Sequence, residues 1–192
     1  MKLLNLLPLI GVVLGWTLNE LSQYIRIRRD QRTILCQSLN ALIDLRFAIS
    51  RRVSYFSAVA SAGKISSVGQ DVLKDFVNDK RVSSDTIKDK IIKSCALLQN
   101  IAPLEAYEIE NKTGSIFDLM EVNHNRINSR DITIDDVNLE LQTMNVMLKC
   151  LDYDIKQLSK RYSLLFSLKY KKYVKRADKG LPGGFEKIFE LI

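Results

Sequence analysis

Apolar residues recur at alternating steps of three and four from Ile134 to Leu165: Ile134, Val137, Leu141, Met144, Leu148, Leu151, Ile155, Leu158, Tyr162 and Leu165. A repeat averaging 3.5 residues, held that long, keeps one narrow seam facing a partner helix, as in coiled coils and long bundles. The start is well marked. Thr133 stands at the N-cap, Asp136 at the reciprocal capping position, and Ile132 with Val137 form a hydrophobic staple. Carried on to about Ala177, this helix would reach roughly 65 Å. A rod of that length needs a companion to cover its stripe.

The companion is the first long helical stretch. Between Asn19 and Ala62 there is no proline or glycine, and Leu35, Leu39, Leu42, Ile49, Val53, Phe56 and Val59 recur at helical spacing. Gly63 and the Ser66–Gly69 stretch end it. The middle of the chain breaks into shorter pieces. Val72, Leu73, Phe76 and Val77 outline a helix of about three turns. Ile87, Ile91, Cys95 and Leu98 outline a second, opened at Ser83-Ser84-Asp85, and Pro103 suits the first turn of a third. Gly114-Ser115 reads as a stop and a new cap, leading to Ile116, Met120, Asn123 and Ile127. These pieces make a hairpin that runs down through about residue 101 and back up through about 128. The expected fold is all-α: an elongated, antiparallel, coiled-coil-like four-helix bundle.

The amino terminus adds an anchor to this picture. From Leu3 to Leu18 only Asn5, Pro8 and Thr17 interrupt an apolar run. Sixteen helical residues reach roughly 24 Å against a hydrocarbon core of roughly 30 Å, and extension to Ile25, with Trp16 and Tyr24 at interfaces, supplies the length. No small-x-small cleavage site follows, so residues 1–25 are expected to be an uncleaved transmembrane helix. Arg26, Arg28, Arg29 and Arg32 follow the run and only Lys2 precedes it, which places the amino terminus outside and the bulk of the chain in the cytoplasm. Residues 26–179 are then the bundle, and 180–192 a Gly/Pro break plus a short amphipathic tail. Gly11 and Gly15 form a G-x-x-x-G that would let two anchor helices associate.

Charge sharpens the expectation. The net charge is +7, but residues 1–64 carry nine Lys/Arg against three acids, 65–150 ten against fourteen, and 151–179 nine against three. An antiparallel bundle brings Arg26, Arg28, Arg29 and Arg32 beside Lys169, Lys171, Lys172, Lys175 and Arg176, a basic collar suited to anionic lipid. Past the glycines, Phe185, Ile188, Phe189 and Ile192 share one helical face, suited to docking on a partner, the bilayer or the bundle's own base.

Candidate chemistry is sparse. Cys36, Cys95 and Cys150 are far apart with no C-x-x-C pair, and His124 is the single histidine, which argues against a metal or redox site and for reduced, mostly buried thiols. No phosphate-binding, nucleophile-elbow or H-E-x-x-H motif occurs. No enzymatic activity or cofactor is expected. The leading reading is an interaction or scaffold protein that is membrane-anchored, presents its bundle to protein partners and self-associates. A membrane-acting effector or sensor of a stress or phage-defence system is the alternative. A basic nucleic-acid-binding bundle, using Tyr170 and Tyr173 among the lysines, is a lesser one.

Overall fold

The computed structural model describes residues 7–63, 65, 67–78, 85–129, 131–163 and 168. They form α1 (Leu7–Ser61), α2 (Ser67–Asn78), α3 (Asp85–Leu98), α4 (Pro103–Ser129) and α5 (Ile134–Tyr162), with no strand among the described residues. The all-α expectation holds, and the helices pack as a bundle around one apolar core.

Contacts between helices give the directions. Arg46 on α1 meets Asp152 on α5 at 2.7 Å, while Arg52 feels the charge of Glu140, so α5 runs antiparallel to α1. Ser38 donates to the Ser94 carbonyl at 3.4 Å and Asp44 meets Lys90 at 2.9 Å, which sets α3 antiparallel on another flank of α1. Lys88 lies 5.9 Å from the centre of the Phe117 ring, and Lys112 reaches Asp154 at 2.8 Å. Thus α4 is antiparallel to both α3 and α5. Helix α2 sits above α3 in the same column: Phe76 stacks on Tyr55 with centroids 4.0 Å apart, and Asn78 exchanges hydrogen bonds with Asn128 at 3.2 Å.

The local signals explain where the elements begin and end. Thr133 Oγ1 accepts from the Asp136 amide at 3.2 Å, Asp136 Oδ2 accepts from the Thr133 amide at 3.0 Å, and Ile132 and Val137 are both buried. The capping box and the buried pair of the staple are therefore both present at the start of α5. Gly63 closes α1 at φ 70°, a left-handed conformation that glycine adopts without a Cβ penalty. At the α3–α4 turn the Leu98 carbonyl accepts from the amides of Ile101 and Ala102 at 3.0 and 2.8 Å, and Pro103 opens α4, where a missing N–H leaves no bond unmade.

Three expectations about the helices are corrected. Gly114-Ser115 does not divide the middle of the chain; α4 runs through it without interruption. Ile109, Ile116, Phe117 and Met120 are buried on both sides of the glycine, and their packing outweighs a helix penalty of about 1 kcal/mol. Helix α5 stops at Tyr162 instead of continuing to about Ala177, because Ser163 turns to extended backbone. The α1 positions it would meet next are Arg32, Arg29 and Arg28, which offer no apolar surface.

The third correction concerns the amino terminus. Among the described residues no helix is long and apolar enough to cross a membrane. The apolar run described from Leu7 ends at Leu18, about 18 Å against a hydrocarbon core of about 30 Å, and polar Asn19, Glu20, Ser22 and Gln23 follow. The transmembrane helix over residues 1–25 is therefore not supported. The single-pass placement in a cell membrane, with the amino terminus outside and the bulk cytoplasmic, falls with it. What the structure shows instead is a projecting arm. Every residue from Ile10 to Asp30 is exposed; Gln31 is half-buried, and Leu35 is the first residue to be fully buried. The buried half of α1 matches α5 in length at roughly 40 Å, and the rest stands clear of the bundle by about the same distance.

Candidate interaction site

The arm is the most unusual surface among the described residues. Between Ile10 and Ile27, ten large apolar side chains are 51% to 70% exposed. From Ile10 to Leu18 they point in every direction around the helix. From Leu18 onward they narrow to a stripe through Leu21, Tyr24 and Ile25. A soluble monomer seldom leaves more than a few hundred Å² of contiguous apolar surface open. The seam that α1 buries inside the bundle, Leu35, Leu39 and Leu42, continues in phase along the arm. Stepping back by alternating fours and threes from Leu35 meets Arg32, Arg28, Ile25, Leu21, Leu18, Leu14 and Gly11.

All four arginines expected in the basic collar, Arg26, Arg28, Arg29 and Arg32, lie exposed at the base of this arm. Arg28 is held locally: its Nε donates to the Tyr24 hydroxyl at 2.9 Å and its guanidinium carbon lies 5.3 Å from the ring centre. Gly11 and Gly15 also lie on the exposed arm, where a Cβ at either would meet nothing within 4 Å. Lys169, Lys171, Lys172, Lys175 and Arg176 lie outside the described residues, as do Phe185, Ile188, Phe189 and Ile192.

A second constellation, unforeseen from the sequence, sits inside the far half of the bundle. Arg52 from α1, Asn123 and Arg126 from α4, and Asp136 and Glu140 from α5 converge there. Glu140 and Arg52 are only 2% and 5% exposed. Arg126 lies 3.8 Å from Glu140 and 3.9 Å from Asp136, close enough for attraction and too far for a hydrogen bond. Burial pushes the Glu140 carboxyl above the ordinary range, and Arg52, Arg126 and a hydrogen bond with Asn123 oppose that shift. Burial likewise lowers the Arg52 guanidinium against the pull of Glu140. Next to it, burial and then the charge of Asp75 push the Tyr55 phenol up to about 12.

Three members of this cluster stood at core spacing in the sequence. Arg52 is three past Ile49, Glu140 three past Val137, and Asn123 three past Met120. A search for polar residues within the apolar stripes, rather than beside them, would have found it. Two further buried ions follow the same rule. Arg46 is clamped by Asp152 and Ser50, and Asp154 by Lys112, whose ammonium is raised chiefly by that hydrogen bond.

Little else on the surface suggests chemistry. Among the described residues no group of three or more His, Cys, Asp or Glu side chains could hold a metal ion. His124 is half-buried, its Nε2 3.2 Å from the Asn128 side-chain nitrogen. All three cysteines are free, yet only Cys95 is buried; Cys36 is half-buried and Cys150 exposed, against the expectation of mostly buried thiols. Burial and then the charge of Glu110 push the Cys95 thiol up to about 11, with a hydrogen bond from Ser94 opposing. A groove of about 300 Å³ between α1 and α3 is lined by Gln37, Asn40, Ala41 and Leu97 with the Asp44–Lys90 pair across it. It is open to solvent. The chain matches no protein-family model, no curated protein and no solved structure.

Proposed function

We propose that the protein is a non-enzymatic helical interaction module, a bundle whose role is to hold the α1 arm out for a partner. One observation carries this reading. The same helix buries its seam for half its length and, beyond Arg32 and Arg28, exposes an apolar stretch in phase with it through Ile25, Leu21, Leu18 and Leu14. A helix apolar all round belongs in a buried setting, and nothing in the described part of the chain provides one. Ion pairs with one buried member, and the Arg52–Glu140 pair with both, support the reading from the other side. Arg46 with Asp152, Arg52 with Glu140, and Lys112 with Asp154 each join α5 to another helix at a fixed level. Buried pairs of this kind add little net stability, but they penalise slipped registers, and a fixed register aims the arm.

The test is proximity labelling or chemical cross-linking in the source cell, comparing the full chain with a Leu14→Glu/Leu21→Glu variant. Loss of the cross-linked species, at an unchanged melting temperature, is the expected result. Retention of every cross-linked species would overturn the reading.

A further inference from the structure

We infer that the partner of the arm is an anionic lipid surface, with the arm's tip embedded in one leaflet and its base on the headgroups. The inference rests on the reading of the arm as a docking element and names its occupant. It starts from the way the arm changes along its length. Ile10, Val12, Val13, Leu14, Trp16 and Leu18 are 51% to 70% exposed and spread around the whole circumference. A groove on a protein would leave one side of such a helix in water, whereas hydrocarbon surrounds it. Between Ile10 and Leu18 the one polar side chain is Thr17, and its hydroxyl donates to the Leu14 carbonyl at 2.9 Å. A polar group in hydrocarbon requires that kind of internal partner. From Leu7 to Leu18 the apolar tip is about 18 Å long, too short to cross a bilayer but matched to the roughly 15 Å of one leaflet's hydrocarbon.

Past Leu18 one face takes over. Leu18, Leu21, Tyr24 and Ile25 form its apolar part, and Arg28, Arg29 and Arg32, all exposed, continue the same face toward the bundle. Arg28 is already drawn toward the stripe by its bond to the Tyr24 hydroxyl. The acids lie elsewhere: Asp30 points away from that face and Glu20 lies to its side. Leaned onto a membrane with this face down, the arm sinks its tip, lays Leu21, Tyr24 and Ile25 at the interface and brings three guanidiniums to the headgroups. For a protein seam the same arginines are an obstacle, since Arg28 and Arg32 interrupt the stripe between Ile25 and Leu35. For the phosphates and carboxylates of anionic headgroups they are the recognition element. Apolar, then amphipathic, then cationic is also the order in which a bilayer changes from its core to its surface. The charge and the apolar surface of the arm thus select the same occupant.

Flotation and fluorescence of the full chain test this. Trp16 is the only tryptophan in the chain, so its emission reports on the tip alone. With vesicles of mixed phosphatidylcholine and phosphatidylserine the protein is expected to float and its emission to shift to the blue. Binding to phosphatidylcholine alone is expected to be about a hundredfold weaker, each of three arginines near an anionic surface contributing about fivefold. Leu14→Glu/Leu21→Glu is expected to abolish both signals at an unchanged melting temperature, since both positions are exposed. Arg28→Gln/Arg29→Gln/Arg32→Gln is expected to bring binding to the anionic vesicles down to the level of the neutral ones. Equal binding of the parent to neutral vesicles, flotation that survives Leu14→Glu/Leu21→Glu, or a Trp16 emission unmoved by vesicles would each overturn it. So would a parent that floats with neither vesicle and sediments as an arm-dependent dimer. If the parent floats with neither while Leu14→Glu/Leu21→Glu still loses a cross-linked species in the cell, the lipid assignment fails and the docking reading stands. If that variant loses nothing, both fail.

Discussion

Glu140 is a carboxylate in the wrong place for an unpaired charge, and its neighbours make that tolerable. With Arg52 and Arg126 beside it, the cluster is close to neutral. Glu140→Ala leaves the buried Arg52 without its counter-ion and is expected to lose about 3–5 kcal/mol in chemical denaturation. Arg52→Met combined with Glu140→Leu, which replaces the pair by apolar volume, is expected to recover most of that loss. The carboxyl also leaves a pH signature. Its folded-state value lies above the ordinary glutamate value, so the folded protein holds the proton longer than the unfolded chain. The resulting stability is fully present below the ordinary glutamate value of about 4.3 and is lost as pH rises through the raised one. Melting curves of the parent should fall over that interval relative to those of Glu140→Gln; parallel curves would contradict the assignment.

At the scale of elements, Gly114 and Thr133 test opposite kinds of signal. Gly114 lies inside α4 at an ordinary helical φ, with open space where a Cβ would go, so Gly114→Ala is expected to raise stability by about 1 kcal/mol in thermal denaturation. Thr133→Ala removes the capping oxygen from the Asp136 amide and is expected to lower it by about 1 kcal/mol. The α5 seam and its cap were legible in the sequence because both are local: a fixed repeat and a four-residue box. Gly114 was misread because a glycine followed by serine has the same local signature whether or not buried residues flank it. The end of α5 at Tyr162 was hidden for a related reason. Tyr162 and Leu165 continue the repeat, but a repeat shows what a helix offers and not whether the facing helix still has apolar surface to receive it. The buried ions were legible only in retrospect. Arg52 and Asn123 keep core spacing, and it takes three helices together to show that each has its partners.

Over the whole molecule, one helix unites the arm and the bundle. The Leu3–Leu18 run was read as a membrane span because apolar composition alone does not distinguish burial in lipid from burial against protein. The described part of the run is too short to cross, and its continuation, Leu18, Leu21 and Ile25, is a seam of the kind α1 uses at Leu35, Leu39 and Leu42. The basic residues, in turn, were read as a single collar. Only the α1 half of it is described, where it marks the boundary between covered and uncovered seam. An uncovered helix of this kind, with no long-range contacts, should fray and exchange its amide hydrogens quickly.

Hydrogen exchange of the intact protein across a dilution series tests the central claim most directly. Amides from Leu35 to Ser61 should exchange slowly and those from Ile10 to Ile27 rapidly in the dilute protein. Slow exchange of Ile10–Ile27 in the dilute protein would show that the arm is covered within its own chain and is not held out for a partner.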